Sequence, residues 1–157
     1  MDWLLARQDT IQKKLASRHL SAGGLVLYDL SSSYLEGSTC PLARRGYSRD
    51  GRPGTLQVKH GLLTDARGCP VAASVHEGNT ADSKTFMPAV RRVREDFGLA
   101  QVVMVGDRGM VSQKAIDELR ESDGMGWITA LRAPRFAPWS SRGSCSLICS
   151  MSATWRS

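Results

Sequence analysis

The run Val102-Val103-Met104-Val105-Gly106-Asp107-Arg108-Gly109-Met110 reads as a short buried strand that ends in a carboxylate. Its β-branched residues suit a pleated, packed surface. The chain makes the same move earlier, where Leu25, Val26, Leu27 and Tyr28 lead into Asp29. Laid side by side, two such strands bring two carboxylates together. At a separation of a few Å the charges repel, and protonation of one or a shared metal ion relieves the repulsion. A hard divalent cation such as Mg²⁺ accepts oxygen from one or two carboxylates, with water and substrate phosphate filling the other positions. Phosphodiester chemistry is therefore the leading expectation. Its recurrent arrangement holds two metals roughly 3.5–4 Å apart, one at the attacking and one at the leaving oxygen. The plainer reading of each aspartate is a turn former or a helix cap.

Working outward, the spacing predicts an α/β alternation. Asp2 to Arg18 is expected to be one helix, with Leu4, Leu5, Ile11 and Leu15 near one side, propping a sheet. A strand from Gly24 to Leu30, extendable through Tyr34, precedes a polar, Gly/Pro-broken excursion. Strands at Leu56–Thr64 and Pro70–His76 flank the turn Asp65-Ala66-Arg67-Gly68 and form an antiparallel hairpin. A helix from Ser83 to Phe97, capped by Asp82 or Ser83, points Phe86, Val90 and Val93 inward. Next come the strand from Gln101 to Gly106, a helix from Ser112 to Glu121 capped by Ser112, and a strand from Trp127 to Leu131. Glu77-Gly78-Asn79-Thr80 reads as a turn with Asn79 suited to positive φ.

Five stretches carry a more specific message: Tyr28 to Gly37, Gly46 to Arg52, Gln57 to Leu63, Glu77 to Asp82 and Val105 to Met110. Together, and in this order, they resemble the DDE-type transposases of bacterial insertion sequences, over about Leu4 to Pro134. The resemblance implies a ribonuclease H-like core, a mixed sheet flanked by helices, acting on transposon-end DNA with Mg²⁺ or Mn²⁺. It also implies that Asp29 and Asp107 are catalytic metal ligands on neighbouring strands. The family's third ligand, a glutamate on a later helix, has no counterpart here. Glu36 and Glu118 could replace it only by rearrangement, so weak or absent strand cleavage and transfer is expected. The core is expected to be incomplete at its C-terminus, divided as an N-terminal helix (1–20), a partial catalytic domain (21–134) and an irregular tail (135–157). The alternative is a noncatalytic remnant that binds DNA or full-length transposase, or associates with itself.

Charge is compatible with a nucleic-acid partner without demanding one. The net charge is +6 over 157 residues. Arg135, Arg142 and Arg156 lie in a tail with no acid, which leaves 18 basic against 15 acidic residues before it. More telling is the turn-rich run holding Arg44, Arg45, Arg49 and Arg52, with Lys59 just beyond, because exposed cations there would reach phosphates. A solvated loop is the plain reading. The tail itself, rich in Ser with Trp139, Trp155, Cys145 and Cys149, shows no periodicity. A shifted frame beginning in the Arg135 codon can encode an ordinary amphipathic sequence, which a frameshift would explain.

The remaining signals exclude more than they propose. No signal peptide is legible at the start, and no uncharged apolar stretch nears the roughly 18 residues of a membrane span, so the cytoplasm is the expected compartment. His19, His60 and His76 lack zinc-ligand spacing, and the cysteines read as reduced thiols. The glycines make no phosphate loop.

Overall fold

The structure is a computed structural model that describes residues 2–49 and 51–130. Helix α1 (Asp2–Leu5) and helix α2 (Gln8–His19) open the chain. Strands β1 (Leu25–Leu35), β2 (Arg44–Arg45), β3 (Leu56–Asp65) and β4 (Pro70–Glu77) follow. Helix α3 (Ser83–Arg91) leads into a π-helical turn (Arg92–Asp96), then come β5 (Val102–Gly106), α4 (Gln113–Glu121) and β6 (Met125–Ile128). The strands form one six-stranded mixed sheet in the order β2-β3-β1-β5-β6, with β4 also on β3. Among the described residues no helix is long and apolar enough to cross a membrane.

Alternation decides which side of each central strand is buried. Val26, Tyr28 and Leu30 of β1 and Val102, Met104 and Gly106 of β5 point to one face, where Phe86, Val90 and Val93 of the α3 segment and Ala115 and Leu119 of α4 cover them. Phe86, Val93 and Met104 are fully enclosed. Tyr28 meets Phe86 with ring centroids 6.4 Å apart and planes tilted by 55°, a favourable aromatic geometry.

The β3–β4 hairpin follows its turn chemistry. The Gly68 N–H donates to Asp65 O at 3.0 Å, and Gly68 takes the left-handed φ of 83° that the turn needs. The Asp65 carboxylate locks the turn by accepting from the Arg67 and Cys69 N–H groups at 2.9 and 2.8 Å. At the outer edge of the sheet, Ala73 O of β4 accepts from Gln8 Nε2, Gln12 Nε2 and Arg92 Nη1 at 3.3–3.4 Å. These side chains satisfy a backbone group that would otherwise face solvent along an edge strand.

Three helix expectations change. The first helix is broken at Ala6 and Arg7, where the Arg7 N–H donates back to Leu4 O at 3.1 Å and its guanidinium lies 4.5 Å over the Trp3 ring. Leu4 and Leu5 remain exposed, so only α2 props the sheet, with Gln12 and Ala16 buried. The helix from Ser83 widens after Arg91: the Phe97 N–H reaches back to Arg92 O at 3.2 Å, five residues away. Asp82 sits at that helix's start without capping it, because its carboxylate is used elsewhere. Ser112 does cap α4, its Oγ accepting from the Ala115 N–H at 3.2 Å. Ser112→Ala is expected to cost about 1 kcal/mol, the usual worth of such a cap; an unchanged urea midpoint would show the bond to be idle.

Candidate metal centre and nucleic-acid interface

Strands β1 and β5 run parallel with Leu27 beside Val105 and Tyr28 beside Gly106. The next residues are Asp29, within β1, and Asp107, just past the end of β5. Adjacent strands lie about 4.8 Å apart, so the two carboxylates leave neighbouring positions. Alternation turns both away from the α3 face, and both are exposed. Asp107 also serves its turn, with Oδ1 accepting from the Arg108 N–H at 2.6 Å and its carbonyl accepting from the Met110 and Val111 N–H groups at 2.9 and 3.3 Å. Its Oδ2 is free of such bonds among the described residues. Neither carboxylate is in an ion pair there. Two exposed, adjacent, oxygen-only donors suit Mg²⁺ or Mn²⁺.

The glutamates weighed as a third ligand are engaged elsewhere. Glu36 Oε1 accepts from Arg52 Nη1 at 3.2 Å, and Glu118 Oε2 lies 3.8 Å from Arg91 Nη2. Among the described residues, the one group of three His, Cys, Asp or Glu side chains whose ligand atoms converge within 4.8 Å is His19, Asp65 and Cys69. Residue spacing gave no sign of it, because His19 closes α2 and the other two frame the β3–β4 turn.

The basic run is largely self-neutralised. Arg44 Nη2 donates to Glu77 Oε1 at 3.1 Å, and its Nη1 to Pro41 O and Ala43 O. Arg49 donates to Leu30 O and, at 3.0 Å, to Asp82 Oδ2. Arg52 stacks 4.2 Å over the Tyr34 ring while bonding Glu36. Lys59 departs from the sequence expectation of an exposed phosphate contact. It is buried, and its Nζ donates to Asp82 Oδ1 at 2.6 Å and Thr80 O at 2.7 Å. Its place on β3 opposite Ser32, on the α3 side of the sheet, dictates this. Arg45 is exposed and has no ion partner among the described residues.

Asp82 is thus the knot of the loop, a role the sequence conceals because Lys59 and Arg49 lie 23 and 33 residues away. Burial pushes its carboxyl up, but Lys59 and Arg49 outweigh this and hold it below the ordinary aspartate value. The Glu77–Thr80 stretch is a turn as expected, with the Thr80 N–H on Glu77 O at 2.9 Å. Asn79, however, does not take positive φ. Gly78 is the special residue: a Cβ there would collide with Gln57 O and lie 2.7 Å from Arg44 O.

A mixed sheet with two central parallel strands, Asp29 within one and Asp107 just past the end of the other, has the form of a ribonuclease H-like domain of the kind found in transposases. Residues 23–138 match the Transposase DDE domain family, and the chain belongs to it. The piggyBac transposase, solved as a synaptic complex with hairpin DNA, is similar in fold at a TM-score of 0.51 and 14% identity, over 72% of this chain and 24% of that one. Mos1 transposase, solved as a paired-end complex with the left transposon end, gives a TM-score of 0.43 at 11% identity over 78% and 41% of the two chains. No curated protein matches the sequence. The chain spans about a quarter of the piggyBac transposase chain.

Proposed function

We propose that this chain is the Asp29/Asp107 portion of an insertion-sequence transposase core, binding a divalent metal and the DNA backbone, with strand cleavage by this portion impaired because Glu36 and Glu118 are held in other ion pairs. The observation that carries the reading is the parallel pairing of Tyr28 with Gly106, the residues immediately before Asp29 and Asp107. Both aspartates would hold Mg²⁺, with Mn²⁺ as a substitute. Bound there, the ion would polarise a phosphate oxygen and draw water or a hydroxyl toward ionisation. The protein's part is to keep two carboxylates at one end of a stiff parallel pair and to keep them accessible.

Contact with DNA falls first to Arg45, which carries no internal partner among the described residues. Arg44 and Arg52 can join it, because surface ion pairs with Glu77 and Glu36 are worth little and exchange readily for phosphate. Arg49 and Lys59 act one layer beneath, mooring the loop through Asp82. Such binding would be independent of sequence and would weaken with salt.

The test compares the chain with Asp107→Asn, following Mn²⁺ binding by water proton relaxation and nicking of supercoiled plasmid in Mg²⁺ and Mn²⁺. Binding is expected to weaken at least tenfold in the variant, the scale on which lost metal-site groups act. Any nicking by the parent should vanish with it. Equal Mn²⁺ affinity in both proteins would remove Asp107 from the site. A noncatalytic DNA-binding remnant is the second reading, favoured by the engagement of Glu36 and Glu118 in other ion pairs; salt-sensitive DNA binding with no nicking by either protein would select it.

A further inference from the structure

Near the start of β1, three residues before Asp29, three side chains of different chemistry converge. Asp65 pairs with Val26 near the start of β1, His19 ends α2, and Cys69 closes the hairpin turn before β4. We propose that His19, Asp65 and Cys69 form a binding site for a borderline-soft divalent cation, Zn²⁺ in the first instance, distinct from the Asp29/Asp107 pair.

The donor set selects the ion. An imidazole nitrogen, a carboxylate oxygen and a thiolate sulfur suit Zn²⁺ and are poor ligands for Mg²⁺ as a group. Distances agree. Zinc bonds of about 2.0–2.3 Å place neighbouring ligand atoms of a tetrahedron roughly 3.3–3.8 Å apart. His19 Nδ1 stands 3.8 Å from Asp65 Oδ2, too far for a hydrogen bond and right for two ligands of one ion. The three ligand atoms lie within 4.8 Å of one another, so a small inward adjustment of Cys69 completes the triangle.

Two further features prepare the site. Asp65 Oδ1 is fixed by the Arg67 and Cys69 N–H groups, which orient the carboxylate, while Oδ2, 3.8 Å from His19 Nδ1, accepts from Arg67 Nε at 3.1 Å. Arg67 Nη2 donates to Asp65 Oδ2 at 2.9 Å and lies 3.4 Å from His19 Nδ1. A guanidinium can only donate, so this contact requires a lone pair on Nδ1, the pair a metal would use. Arg67 therefore places a positive charge where the ion would sit. Its side chain is 71% exposed and can swing into water when displaced. Binding would release the Cys69 thiol proton and leave a fourth position for water. The ion would tie the end of α2 to the hairpin.

Co²⁺ titration of the full chain tests this, because a cobalt–thiolate bond gives a charge-transfer absorption in the near ultraviolet. The band is expected in the parent and in Asp107→Asn, lost in Cys69→Ser and His19→Ala, and reached at lower Co²⁺ in Arg67→Ala, where the competing cation is gone. Zn²⁺ should bleach it and raise the melting temperature of the parent but not of Cys69→Ser. Absence of the band in the parent, or its survival in Cys69→Ser, would overturn the site. Circular dichroism of each variant separates loss of ligand from loss of fold.

Discussion

Gly78→Ala is expected to lose stability by about 3 kcal/mol or more, the upper end of what overpacking costs. The Cβ would overlap Gln57 O, sit 2.5 Å from Gln57 C and lie 2.7 Å from Arg44 O. Every one of these atoms is backbone, so no rotamer change can clear the space. The neighbouring Gly46 is pressed against Gly78 O in the same way, and the Gly78 N–H donates to Leu42 O at 3.2 Å. The basic loop, β3 and the turn after β4 thus cross at one point where only hydrogen fits. Because a small domain has roughly 5–15 kcal/mol in total, the variant should show a sharply lowered urea midpoint. It should also bind DNA less tightly at temperatures where it stays folded, since Arg44 and Arg49 lose their mooring. A midpoint within the range of a surface substitution would mean that the crossing relaxes.

Phe86→Ala is expected to cost about 3–5 kcal/mol, as for other fully enclosed aromatic residues. Phe86 is 0% exposed and reaches both aspartate-bearing strands. Its ring faces Tyr28 of β1, and it lies so close to Gly106 of β5 that a Cβ there would come within 2.9 Å of Cε2. Removing it leaves a cavity directly behind the positions that present Asp29 and Asp107. Urea unfolding of Phe86→Ala beside Phe86→Leu gives the measurement. Leucine should recover much of the loss, and a cost below about 1 kcal/mol for alanine would show that the core closes over the gap.

What could be read from the chain followed its periodicities. Unbroken apolar runs at Leu25–Tyr28 and Val102–Val105 marked the two strands, although β1 runs on past Asp29 to Leu35, and the Asp65–Gly68 turn announced the hairpin, because both signals are local. Their adjacency came from likeness to known transposases and not from spacing. Lys59 was misread because nothing near it in sequence reveals that its strand position faces α3 or that Asp82 waits there. The same holds for His19 and Cys69, joined only by the packing of α2 on the hairpin. The break at Ala6-Arg7 and the π-helical turn escaped for another reason: apolar spacing is indifferent to which carbonyl each N–H selects. The expectation for 135–157 lies outside the described residues, and the last strand, expected from Trp127 to Leu131, instead runs Met125–Ile128 and leaves Thr129 and Ala130 beyond its end.

The parallel pairing of β1 and β5 makes the site sensitive to parity. Side chains on a strand alternate sides, so inserting or deleting a single residue within Leu25–Tyr28 or Val102–Gly106 would rotate one aspartate into the layer occupied by Phe86 and Val90 while its partner stayed outside. A change of two residues would keep both acids on the same side but move them apart by about 6.6 Å, beyond the reach of one ion. Length variation among relatives should therefore be tolerated in the exposed turn at residues 51–54 and forbidden in these two short strands, where a gap of any size disconnects the pair.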